Sequence, residues 1–151
     1  DAAGRYGQAM RQAPPGSDVR ALAGANLAAS LILAGRSGEA LRTAERALRE
    51  GGGPREGVLR YNLGCSQVLE ERRSDAAESF RRCLERNPAD FNARWNLELL
   101  LNDRQPPPPR NPAPPPPEDQ ADRFLDSLKD QEKTKLPRAQ GRPAGTGGPY
   151  W

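Results

Sequence analysis

Between residues 17 and 104 the apolar positions recur at steps of three and four, the period of an amphipathic helix. Leu22, Leu27, Leu31 and Ala34 stripe a helix over 17–34, with Ser17 or Asp18 as its cap. A turn, GRSG at 35–38, leads to a second helix over 39–50 with Ala40, Ala44 and Ala47 at its close-packing positions. Residues 61–88, YNLGCSQVLEERRSDAAESFRRCLERNP, repeat the arrangement. Leu63 and Gly64 fall on one helix, and Ala76, Phe80 and Cys83 on the next. This spacing predicts that Leu63 packs between the two helices, that Gly64 and Ala76 let them approach, and that Phe80 fills the space toward the neighbouring pair. Ser74 or Asp75 caps the second helix, and Asp75 with Glu78 fits a capping box. Pro88 ends it, since proline lacks an N–H and disfavours helix at the residue before it. Asp90 then caps a further helix, FNARWNLELLLND, ending near Arg104.

Three Asn–Leu pairs mark equivalent places: Asn26–Leu27, Asn62–Leu63 and Asn96–Leu97, separated by 36 and then 34 residues. Two helices per about 34 residues, with small and large residues at fixed offsets, resemble the tetratricopeptide (TPR) repeat. The resemblance implies an all-α TPR solenoid of helix–turn–helix repeats: a partial repeat at 1–16, repeats at 17–53 and 54–89, and a capping helix at 90–104. Residues 1–13, DAAGRYGQAMRQA, match the second half of a unit, with Gly4 at its turn, Tyr6 just after and Ala9 at a small position. The expectation is that its first helix is missing or cut short, and that the chain is a fragment or a processed product.

In such a stack the first helix of each pair lines a concave surface. Here that lining includes Asn26, Ile32, Tyr61, Asn62, Cys65, Leu69, Trp95 and Asn96, an apolar groove with an asparagine at each step. An asparagine amide donates and accepts at once. Asn26, Asn62 and Asn96 either hold a bound peptide or helix, or bond to the adjacent helix and serve packing between repeats. TPR domains that clamp a terminal carboxylate use Lys and Arg in the groove. This groove has no Lys, with only Arg60 and Arg94 nearby.

Residues 105–117, QPPPPRNPAPPPP, form a polyproline II linker that at about 3.1 Å per residue spans on the order of 40 Å. A PxxP ligand for an SH3-like domain is the alternative reading. Residues 118–136 predict an amphipathic helix with acids at its start and lysines at its end, as the helix dipole favours. Its apolar stripe is Ala121, Phe124, Leu125 and Leu128, too short to hold a lone helix. The helix therefore docks on the groove, on another copy or on a partner. Residues 137–151 predict a disordered tail. The terminal Tyr150 and Trp151 are either a short docking motif or a plain end.

Composition narrows the chemistry. The 151 residues carry a net charge of +3 and no histidine, which removes histidine triads, Cys–His dyads and histidine metal sites. Two cysteines, Cys65 and Cys83, make no disulfide framework and read as buried thiols. The carboxylates lie in Glu/Arg helix faces with local pairing. The glycine-rich run at 144–148 lacks the lysine, strand and helix of a phosphate loop. No catalytic residue, cofactor or metal site is expected, and no basic stripe with interleaved aromatics suggests nucleic acid. No apolar run reaches the roughly 18 residues of a membrane span. No signal peptide is visible, and because the chain opens on Asp1 and not on Met, that absence carries little weight.

The order of a lid helix ARWNLELLL (93–101), a Pro-rich spacer, a helix QADRFLDSLKDQEK (120–133) and an Arg-rich tail closing on Trp151 resembles the TPR protein of bacterial Bat (aerotolerance) operons, over residues 57–151. That resemblance implies von Willebrand factor A-type membrane proteins and a MoxR-type AAA+ ATPase as partners. It also implies a place at the bacterial envelope, periplasmic or inner-membrane associated, with the cytoplasm as the alternative. The expected role is a non-enzymatic protein–protein interaction adaptor. The alternatives are a co-chaperone-type peptide-binding adaptor and a regulatory subunit of an enzyme complex.

Overall fold

A computed structural model describes residues 1–102 and, in the C-terminal part, Asp122, Arg123, Leu125 and Asp126. The described residues are all-helical: α1 (Ala2–Gln12), α2 (Asp18–Leu33), α3 (Ser37–Arg49), α4 (Glu56–Leu69), α5 (Arg73–Arg86) and α6 (Phe91–Leu101). A 3-10 turn, Gly53–Arg55, precedes α4, and no strand occurs among these residues. Each helix packs on the next in chain order, and α4 also packs on α2. The expected linker (105–117) and tail (137–151) lie outside the described residues.

The ends follow local chemistry. The Ser17 side chain accepts from the Arg20 amide and starts α2, as the sequence suggested. Asp90 Oδ1 accepts from the Ala93 amide at 3.0 Å and starts α6. Three other starts differ from the sequence expectation. Asp1 caps α1 through the Gly4 amide, so Gly4 lies inside the helix rather than at a turn. Helix α3 begins at Ser37, two residues early, behind an Arg36 cap with no side-chain bond. Helix α5 begins at Arg73, and neither Ser74 nor Asp75 caps it. Asp75 instead takes the Arg72 guanidinium, 2.7 Å away.

The reason lies in the preceding turn. Gly35 (φ 72°) and Glu71 (φ 59°) are both left-handed and sit 36 residues apart. At each, the next amide reaches back five residues, Arg36 to Leu31 at 2.8 Å and Arg72 to Gln67 at 2.7 Å. This is the Schellman closure of a helix C-terminus. Once closed, the chain is already aimed into the next helix. At α5's far end the residue before Pro88, Asn87, is extended (φ −140°, ψ 85°), as a following proline requires.

The core differs from the expectation at Leu63. Leu63 is 6 % exposed and clusters with Ala28, Leu41 and Ala44, so it faces the preceding pair α2–α3 rather than its own partner helix. Phe80 is fully buried against Tyr61, ring centroids 5.8 Å apart, in a cluster that also holds Leu31, Ile32 and Ala40 of α2 and α3. A Cβ on Gly64 would come within 2.7 Å of the Phe80 ring, so only glycine lets α4 and α5 meet here. Arg20 and Glu50 close the open end of the α2–α3 pair with a two-pronged ion pair, 2.5 and 2.9 Å.

Candidate partner-binding surface

The residues expected to line a groove are mostly inside. Asn26, Ile32, Tyr61, Asn62, Cys65 and Asn96 are each at most 8 % exposed. Leu69 is exposed at the end of α4, and Trp95 is half-buried on α6. Asn62 Nδ2 donates to the Ala25 carbonyl on α2 at 2.9 Å, so its amide serves packing between helices. Of the arm residues, Leu125 is buried and helical, while Phe124, Leu128, Tyr150 and Trp151 lie outside the described residues.

Beneath this face lies a polar cluster built by α4, α5 and the α6 cap. The Tyr61 hydroxyl accepts from Asn96 Nδ2 at 3.5 Å. The Cys83 thiol donates to Asp90 Oδ2 at 3.7 Å, while the other oxygen of that carboxylate caps α6. Burial pushes the Cys65 thiol up to about 12. Burial first, then the Asp90 charge, pushes Cys83 to about 12. Burial, and Cys65 alongside, raise the Tyr61 phenol as well. A thiol at 12 carries almost no thiolate at neutral pH, so neither cysteine is a nucleophile or a ready metal ligand. No group of three or more metal-ligating side chains occurs among the described residues.

Several apolar side chains also reach solvent, and two of them recur in register. Leu33 and Leu69 close α2 and α4 at equivalent places and are 52 % and 43 % exposed. Helix α6 adds Phe91 and Leu101, 61 % and 60 % exposed. The Phe91 and Trp95 rings stack at 6.4 Å and 20°, one turn apart. The sequence reading named Trp95 but missed Phe91, although the i, i+4 aromatic spacing was there to find. Stacked aromatics at a half-wet surface are the residue types that anchor protein interfaces.

The C-terminal part meets a different face. Leu125 is 8 % exposed in a cluster with Ala9, Met10, Ala23, Ala25, Ala47 and Leu59. Arg5 of α1 pairs with Asp122 at 2.6 Å. No helix among the described residues is long and apolar enough to cross a membrane. Scans against protein-family models, curated proteins and solved structures find no match to this chain.

Proposed function

We propose that this chain is a non-enzymatic interaction adaptor, a TPR-type solenoid whose helix pairs present a binding surface to a segment of a partner protein. The observation that carries the reading is the exposed apolar set Leu33, Leu69 and Phe91, with the half-buried Trp95 stacked on Phe91, spread over the first helices of successive pairs. Buried amides and thiols hold those helices in register and leave recognition to the apolar groups. The Bat-like order of the C-terminal segments points the proposal to a bacterial envelope complex with von Willebrand A-type proteins and a MoxR-type ATPase.

The test is affinity capture from native lysate with the full chain and with a Phe91→Ser/Trp95→Ser variant. The expected result is recovery of von Willebrand A-type or AAA+ proteins by the wild type, with loss of at least about tenfold in the variant, the scale of removing an aromatic anchor. Equal recovery by both baits would remove the surface from the proposal. Recovery of quite different partners would remove the Bat-like assignment and keep the adaptor.

A further inference from the structure

Helix α6 presents two unlike faces. On one, Ala93 and Asn96 are buried, and Leu97 and Leu100 pack against the core. On the other, Phe91, Arg94, Glu98 and Leu101 are all exposed. These four stand at steps of three, four and three. With 3.6 residues per turn they fall in one stripe about 80° wide. That is the spacing of a seam along which two helices pack side by side.

The stripe complements itself when read backwards. Asn96 is the midpoint of Phe91–Leu101. Two copies laid antiparallel about a two-fold axis at that level set position 91 against 101 and position 94 against 98. Phe91 then meets Leu101 of the second copy, and Arg94 meets its Glu98, each contact made twice by symmetry. A parallel pairing sets arginine on arginine and glutamate on glutamate instead. Both charges are available for the antiparallel contact. No ion pair of the Glu98 carboxylate occurs among the described residues. The Arg94 guanidinium donates to the Pro88 carbonyl at 2.6 Å, and its planar fork has further N–H groups to offer.

We propose that the exposed face of α6 is a self-pairing surface, on which α6 of a second copy docks antiparallel through the Phe91–Leu101 and Arg94–Glu98 contacts. The apolar ends supply the hold. The charged centre fixes direction and register and weakens the pair, as polar groups in a helix seam do. A seam of about three turns is small for a stable interface, so the pair forms and dissolves with concentration. This goes beyond the partner surface given under Proposed function and shares Phe91 with it. A partner segment and a second copy therefore compete for that ring.

The test is sedimentation equilibrium of the full chain, at concentrations rising to about 1 mM, the weak end of measurable association. Wild type, Arg94→Glu, Glu98→Arg and an equimolar mixture of the two variants are compared. Wild type is expected to dimerise. Each variant sets like charges opposite at both contacts, and is expected to dimerise about tenfold more weakly or worse. In the mixture one chain carries acids at both positions and the other carries arginines at both. Both contacts are then restored, and a heterodimer of wild-type strength is expected. That recovery also shows that the variants are folded. A wild type that stays monomeric up to the limit overturns the proposal. So does a dimer that neither reversal weakens, which lies on another face. So does a mixture no tighter than the variants alone, which excludes the antiparallel register. The reversals keep Phe91 and Trp95, so partner capture by these variants tests the adaptor reading separately. Captured von Willebrand A-type or AAA+ proteins beside a monomeric wild type overturn self-pairing alone. A wild type that pairs in the expected register and captures none of them overturns only the adaptor reading.

Discussion

At the scale of single residues, the asparagines show how one side chain type takes different energetic roles from identical sequence positions. Replacing Asn62 by leucine removes its bond to the Ala25 carbonyl, which keeps its helical partner within α2, at a cost of about 0.5–1.5 kcal/mol. Replacing Asn26 by leucine removes a buried donor that has no acceptor among the described residues, and is expected to be neutral or stabilising by up to about 1 kcal/mol. Urea midpoints of the two variants, at constant slope, measure the contrast. Equal losses would mean that both amides are satisfied. The recurrence of Asn26, Asn62 and Asn96 was legible in the sequence, but what each amide meets was not. Spacing places a side chain on a face of its helix, and only the crossing of two helices decides what stands opposite. The same limit explains Leu63. Periodicity put it in the core and could not say which neighbour it would touch.

At the scale of elements, the helices themselves were written plainly in the apolar period, and their starts were not. Ser17 and Asp90 carry side chains that cap, and both were found. Arg36 and Arg72 hold the same position with no capping side chain, because the left-handed residue before each has already turned the chain. Glycine marks that residue at 35, whereas Glu71 hides it. A non-glycine residue in this conformation costs about 1 kcal/mol or more. Glu71→Gly is expected to stabilise by about 0.5–1 kcal/mol after the entropy of the freer unfolded chain is set against it, and Gly35→Ala to destabilise by about 1 kcal/mol. Paired thermal melts of the two variants check this. A loss of stability in E71G would show that the glutamate side chain contributes more than its backbone costs. The expected groove was harder to read than the helix ends. Its residues were picked by register, but exposure depends on how the helices pack, and most of them are buried. Phe91, next to the Asp90 cap, carries exposure that the register list did not include.

At the scale of the whole molecule, stability has a pH dependence set by the two buried thiols. Both are held near 12 in the folded chain, against about 8.5 for a free thiol. Between those values the folded state keeps protons that the unfolded state has lost. Unfolding then releases protons, so stability is full below about pH 8 and falls as pH rises toward 12, by up to about 1.4 kcal/mol per pH unit for each thiol. Urea unfolding from pH 8 to 10.5 should show this decline, and a Cys65→Ala/Cys83→Ala variant should show a flatter one. Identical slopes would mean that the thiols titrate normally in the folded chain. A thiol reagent at pH 8 should label neither cysteine until the protein unfolds.

The joints at Gly35 and Glu71 have a consequence for how such a molecule changes length. They share one backbone geometry, one closing hydrogen bond and one position within the pair. The segment between them therefore begins and ends on the same hinge, like a tile whose two edges match. Adding or removing such a segment would rejoin the same turn, so the ends of α2 and α4 would each still close on the shape they close on now.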